Sequence, residues 1–332
     1  MRLSKCLSFS SLATSPGEQH NGCAATAKPS LWVAVALRGA FALWYGRSVG
    51  SWVKCRGMGF KAFLSAFAGV ALWATAGAAA ENVDIPDDGL TLHALLYRPS
   101  GPGPFPGVVA LHDCGGLEQE SAADAQLYGE WAKLLSGKGF VVVFPDSYGS
   151  RGLGPQCRVR ESKARPSRER VADADAARHW LQAQNFVRPE HISLLGWSNG
   201  AIAALWAVRP NSAPRDGSPD FRSAVALYPG CRRLRQTAWS ARVPTLILIG
   251  GADDWTPAST CQQMVAGAKG RSARAEIIVY PGAHHEFDRD AAPLRLRTGL
   301  AHSADPAGRA HRGTDPAARA DAFKRVPQWL AR

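Results

Sequence analysis

From residue 91 onward the chain repeats one pattern: a short apolar run followed by a longer stretch with helical spacing. The apolar runs fall at 91–97, 107–112, 140–144, 191–195, 223–227, 245–249 and 276–280, and the helical stretches at 122–135, 168–184, 201–208, 260–269 and 316–330. Strands that are apolar on both faces need cover on both faces, so the alternation predicts an α/β fold with a mostly parallel central sheet and helices on either side.

At the fourth run the pattern acquires chemistry. Gly196-Trp197-Ser198-Asn199-Gly200 lies between the apolar segment 191–195 and the Ala-rich segment 201–208. A G-x-S-x-G sequence in that setting places a serine on a sharp strand-to-helix turn. A serine hydroxyl is a weak nucleophile at pH 7 and needs a base within hydrogen-bond reach, plus a third group that orients the base. After the run 245–249 comes Gly250-Gly251-Ala252-Asp253-Asp254-Trp255-Thr256-Pro257, and after 276–280 comes Pro281-Gly282-Ala283-His284-His285-Glu286-Phe287. A carboxylate and a histidine thus stand at the mouths of two later strands, in the order Ser, Asp, His found in α/β-hydrolases. A purely structural account is available for each residue: Ser198 as a helix cap between two packing glycines, Asp253 or Asp254 as a cap for the next helix, and either histidine as a packing residue. Three such loops in the right order favour the catalytic account.

The segments Val108-Val109-Ala110-Leu111-His112-Asp113 and Cys114-Gly115-Gly116-Leu117, the aspartate four residues before Pro257 and the His-x-Phe at 285–287 resemble the dienelactone hydrolase family, with the likeness running from about residue 91 to the C-terminus. The resemblance implies an α/β-hydrolase fold, with Ser198 as nucleophile, Asp253 rather than Asp254 as the triad acid and His285 rather than His284 as the base. The family's name-giving enzymes carry cysteine in the elbow, often near a glutamate in the first loop, where this chain has Ser198 and Asp113. The implied reaction is acyl transfer from small carboxylic esters or lactones, without a cofactor. Its oxyanion would be held by the backbone N–H groups of Asn199 and Cys114. His112, ending its strand, is expected to hold the first loop by hydrogen bonds. Asp113, Trp197 and Arg151 are candidate substrate contacts; Arg151 lies with Arg158 and Arg160 in the stretch 147–166, expected to form a partial lid.

The N-terminal part reads differently. Met58-Gly59-Phe60-Lys61, the apolar segment 62–74 and Ala78-Ala79-Ala80 have the form of a secretory signal peptide cleaved after Ala80, which makes 81–332 the hydrolase domain. Residues 1–57 are expected to be an over-extended reading frame or a disordered leader. The apolar runs at 31–45 and 62–74 are short, so no stable membrane span is expected. The first 80 residues hold 8 Lys and Arg but 1 acidic residue, so the remainder carries a net charge of +5 against +12 for the whole chain. That balance, without a basic repeat, argues against nucleic acid as a partner. Cys114, Cys157, Cys231 and Cys261 follow the leader, an even number suited to an exported protein with two disulfides. Three pairings are open, Cys231 with Cys261 and Cys114 with Cys157 being preferred on neighbouring loops; four buried thiols is the alternative. A metal site is not expected, because no C-x-x-C is present and His112 with Cys114 lacks a second ligand pair. The stretch 288–315, rich in Gly, Pro and Arg, shows no periodicity; it is expected either to fold over the pocket or, the slightly preferred reading, to be a mobile surface excursion before the final helix.

The leading expectation is therefore an exported, periplasmic or secreted serine hydrolase acting on a small-molecule ester or lactone. The alternatives are a non-catalytic binding protein on the same fold and a serine peptidase of that fold. The sequence leaves the oligomeric state and the acyl and alcohol groups open.

Overall fold

The computed structural model describes residues 79–117 and 122–332. The segments expected to be a leader, 1–57, and a signal peptide lie outside the described residues, apart from residues 79 and 80. Among the described residues no helix is long and apolar enough to cross a membrane.

The chain runs through β1 (Glu81–Asp87), β2 (Leu90–Tyr97), β3 (Phe105–Leu111), α1 (Ala122–Gly137), β4 (Val141–Pro145), α2 (Glu169–Gln182), β5 (Val187–Trp197), α3 (Asn199–Ala207), β6 (Ala224–Leu227), α4 (Arg232–Gln236), β7 (Thr245–Gly250), α5 (Ala258–Gly267), β8 (Ala275–Tyr280), β9 (Arg295–Arg297), β10 (Ala310–Arg312) and α6 (Pro316–Leu330). Eight strands form one sheet in the order β1-β2-β4-β3-β5-β6-β7-β8, and β9 pairs with β10 in a separate two-stranded ribbon. The strands from β4 to β8 across the sheet are parallel, whereas β2 pairs antiparallel with both β1 and β4.

Every residue of β4, β6 and β7 is buried, as expected for strands covered on both faces. The α1 crossover steps leftward from β3 to β4 and the α2 crossover rightward from β4 to β5, so right-handed connections put the two helices on opposite faces. Accordingly α1 packs with α6, and α2 packs with α3. All seven apolar runs of the sequence are strands. Three elements escaped the pattern: β1, a largely exposed edge strand that carries Pro86, the short helix α4 and the β9–β10 ribbon.

The parallel strands deliver their C-terminal ends to one edge, and two glycines fix how closely α3 meets it. A Cβ on Gly200 would lie 2.0 Å from the Leu111 carbonyl oxygen and 2.4 Å from that of His112; one on Gly196 would lie 2.4 Å from the Gly200 carbonyl oxygen. Both glycines of the G-x-S-x-G sequence are therefore required by backbone contact. Two disulfides fasten this edge: Cys114–Cys157 joins two loops, and Cys231–Cys261 joins the turn before α4 to α5. This is the preferred pairing of the sequence.

Gly200→Ala is expected to cost about 1–3 kcal/mol from overpacking, at roughly 2–4 °C in Tm per kcal/mol. Gly129→Ala, in α1 with open space around it, should instead hold or raise Tm; thermal denaturation of the two variants checks both. Replacing Cys114 and Cys157 together by serine opens a cross-link spanning 43 residues of sequence. On the chain-entropy account that loses about 4 kcal/mol, and denaturant titration should show a fall in midpoint.

Candidate active site

Ser198 follows β5 directly and caps α3 with φ 48° and ψ −109°, a left-handed conformation that a side chain rarely adopts. The turn is held by the Ser198 N–H, which donates to the Leu227 carbonyl at 2.9 Å, and by the Ser198 carbonyl, which accepts from the Ile202 N–H at 2.9 Å. The conformation lifts the hydroxyl out of the strand and sets it at the helix N-terminus, where the helix dipole favours developing negative charge.

The hydroxyl meets the two residues expected beside it. Ser198 Oγ is 3.0 Å from His285 Nε2, and His285 Nδ1 is 2.8 Å from Asp253 Oδ2. The His285 and Asp253 side chains are wholly inaccessible to solvent. Asp253 Oδ1 accepts from the Trp255 and Thr256 N–H groups at 3.0 and 2.8 Å, and Oδ2 accepts from the Thr256 hydroxyl at 2.9 Å. These bonds satisfy the buried carboxylate and aim its remaining lone pair at the imidazole. The His285 ring lies between Trp255 and Tyr228, with centroids 4.6 and 4.7 Å away. Burial works against the imidazolium, but the Asp253 carboxylate, with those of Glu286 and Asp113 beyond it, outweighs burial and raises the His285 pKa above 6.5.

The neighbouring candidates are placed elsewhere. Asp254 is exposed and bonds His311 through its backbone N–H at 2.8 Å and its Nδ1 at 2.7 Å. His284 faces His311, with ring centroids 5.8 Å apart.

The first loop brings Cys114 to the same edge. His112 is fully buried; its Nδ1–H donates to the Asp113 carbonyl at 2.8 Å and its Nε2 accepts from the Ser147 N–H at 3.2 Å. Burial, aided by the Arg170 charge, pushes its pKa well down, so the ring is a neutral brace. Asp113 is buried and receives the Gly115 N–H on Oδ1 at 2.6 Å, a loop-forming bond, while its charge reaches His285. Among the described residues, the backbone N–H groups of Cys114 and Asn199 have no acceptor.

Three expectations need correction. Trp197 does not face substrate: it is wholly buried and donates from Nε1 to Asp288 Oδ2 at 3.0 Å, because alternate residues of a strand point to opposite sides. Arg151 is bound by Asp173 in a two-pronged pair at 2.6 and 3.0 Å and also donates to the Ser147 carbonyl, so its guanidinium is committed to the scaffold. The stretch 288–315 lies largely at the surface, with Leu294 and Leu296 exposed, but it is fastened to the site rather than loose, which favours the other reading. Its backbone is pinned where the Gly313 N–H meets the His285 carbonyl at 3.1 Å and the Ala301 N–H meets the Cys157 carbonyl at 2.9 Å. Leu300 and Ala310 pack there with Trp255 and the Cys114–Cys157 disulfide in a small cluster beside the nucleophile loops.

Several residues with a part in this geometry had no sequence signal. Thr256, Tyr228 and Asp288 carry no motif of their own, and Arg170 reads as an ordinary basic residue in a surface helix. Asp288 follows the His-x-Phe signature by one position, the sole local cue to it. In the structure Asp288 is buried and accepts from Trp131, Trp197 and Tyr228.

Comparison with known proteins agrees with the fold. The sequence profile of the dienelactone hydrolase family matches residues 92–332. An uncharacterized protein of Mycobacterium tuberculosis (strain H37Rv) is 30% identical over 218 residues, which cover 60% of this chain and 69% of that one. The "Putative carboxymethylenebutenolidase" of Yersinia pestis is 26% identical over 226 residues, 63% of this chain and 79% of the other. Among solved structures, the dienelactone hydrolase-like promiscuous phosphotriesterase P91 from metagenomic libraries aligns with TM-score 0.57 and 21% identity, over 77% of this chain and 98% of that one. Esterase 2 of Thermogutta terrifontis, phosphoramylated by tabun, aligns with TM-score 0.54 and 21% identity, over 77% and 95%. The chain belongs to the dienelactone hydrolase family and is a carboxylic ester hydrolase of the α/β-hydrolase fold.

Proposed function

We propose that the protein cleaves small carboxylic esters or lactones through an acyl-enzyme on Ser198, with His285 as general base and Asp253 orienting it. The observation that carries this reading is the continuous buried relay: Ser198 Oγ to His285 Nε2 at 3.0 Å, and His285 Nδ1 to Asp253 Oδ2 at 2.8 Å. In the first step His285 Nε2 takes the Ser198 proton, Oγ bonds to the carbonyl carbon and the carbonyl electron pair moves to oxygen. The Cys114 and Asn199 N–H groups receive that oxyanion. As the tetrahedral species collapses, the bond to the alcohol oxygen breaks and the imidazolium returns the proton to it. Water repeats the sequence on the acyl-enzyme. In a lactone the released hydroxyl stays tethered to the acyl group.

Two features support small substrates. Leu300 and Ala310, packed against Trp255 and the Cys114–Cys157 disulfide, wall the edge beside the nucleophile. Relatives from several bacteria bear the name carboxymethylenebutenolidase, which points to lactones as one class to screen. The two disulfides support action in an oxidising compartment after export.

Ser198→Ala should abolish hydrolysis of p-nitrophenyl acetate with circular dichroism unchanged, and a fluorophosphonate should label the parent protein on Ser198. Ester turnover by folded Ser198→Ala at the parent rate removes the mechanism. Because the base must be neutral, kcat/KM should fall as pH drops through the raised His285 pKa, giving an acid limb above pH 6.5. Asp253→Asn should lower kcat by roughly 10³–10⁴ and shift that limb to lower pH, since the carboxylate that favours the imidazolium is gone. Asp254→Asn, at the exposed His311 contact, should leave kcat within about threefold, as expected of a surface substitution.

A further inference from the structure

Arg170 is hard to explain as a stabilising residue. It is wholly buried, and among the described residues it forms no ion pair. Its four acceptors are neutral: the His112 carbonyl oxygen at 2.7 Å from Nη2, Asn199 Oδ1 at 2.6 Å and the Tyr148 hydroxyl at 3.4 Å from Nη1, and Ser147 Oγ at 3.3 Å from Nε. Removing a guanidinium from water without a counter-ion is costly. Its place in the first turn of α2 adds to the cost, because a cation there opposes the helix dipole.

The acceptors themselves show where this charge is used. His112 closes β3 two residues before Cys114, and Asn199 follows the nucleophile directly. One guanidinium thus joins the two backbone segments whose amides are proposed to receive the carbonyl oxygen. The same two segments touch where Gly200 meets the Leu111 and His112 carbonyls. That contact limits how near they approach, and the Arg170 fork limits how they slide.

We propose that Arg170 is a positioning residue for ester cleavage: it locks the first loop to the start of α3, and its positive charge, held by neutral acceptors, lies behind the site where the substrate oxygen becomes anionic. This rests on the Ser198 acyl-transfer reading. Charge preorganised at such a site acts on the transition state more than on the bound ester, so it should be felt in kcat rather than KM.

The test compares the parent protein with Arg170→Met, Arg170→Lys and Asn199→Ala. It measures kcat and KM for p-nitrophenyl acetate per site titrated with fluorophosphonate, and the inhibition constant of phenylboronic acid, whose tetrahedral adduct presents an oxygen to the same amides. Arg170→Met should lose about a hundredfold in kcat, keep KM within about threefold and bind phenylboronic acid more weakly in step with kcat. Arg170→Lys, which keeps the charge but not the fork, should recover about tenfold of that loss. A residue needed only for folding would lower the number of titratable sites and Tm, yet leave kcat per site and boronate inhibition at parent values; that outcome overturns the assignment. Should Arg170→Met fail to fold, Asn199→Ala breaks the same bridge from its partly exposed side. A fall of about tenfold in its kcat per site supports the assignment, and an unchanged value overturns it. A parent protein that labels on Ser198 while the variants match its turnover defeats this assignment alone. A parent inert to both ester and fluorophosphonate defeats the Ser198 reading, and the assignment with it.

Discussion

A carboxylate shut away from water, that of Asp288, holds the active end of the sheet together. It accepts from Trp131 Nε1 at 2.8 Å, Trp197 Nε1 at 3.0 Å and the Tyr228 hydroxyl at 2.8 Å. Those donors come from α1, the last residue of β5 and the first residue after β6, while Asp288 itself lies three residues beyond His285. Burial raises its pKa even against three donors, so losing any one of them would leave an expensive polar group exposed to apolar surroundings. Four segments that must agree in position are thereby joined at one point. Next to it, Ser198, Tyr228 and Glu286 all hold positive φ (48°, 42° and 56°), conformations that persist only where the surroundings over-determine them. Glu286 is further clamped by Arg289 at 3.0 Å and Arg312 at 2.8 Å.

Adjacent residues with like chemistry have opposite fates here, and the loop geometry explains why. Asp253 turns inward, where two backbone amides, a hydroxyl and the imidazole surround it, whereas Asp254 turns outward and anchors the β9–β10 ribbon through His311. His285 likewise enters the site while His284 meets His311. The outward pair is structural: at the surface it ties the ribbon to the acid and base loops.

Much of this was legible in the sequence. Buried parallel strands are continuous apolar runs, and an elbow serine, a loop aspartate and a loop histidine are distinctive in type and order. What was not legible depends on distant partners. Strand β1 exists because β2 pairs with it along Glu81–Asp87, not because its own polar, Pro-bearing sequence demands a strand. Arg151 looked free because Asp173 is 22 residues away, and Arg170 looked ordinary because its acceptors sit on three other segments. The aperiodic stretch 288–315 takes its order from hydrogen bonds to Cys157, His285 and Phe287, none visible in local composition.

The Cys114–Cys157 bond joins the proposed oxyanion loop to the segment after β4, and the Cys157 carbonyl in turn holds Ala301 of the stretch before α6. A covalent link at that point makes one frame of three stretches that lie far apart in the sequence: the loop after β3, the segment after β4 and, through the packing of Leu300 and Ala310, the stretch before α6. On the proposed mechanism, the amide that receives the substrate oxygen and the apolar surface beside it are thus bonded parts of one body rather than separate loops.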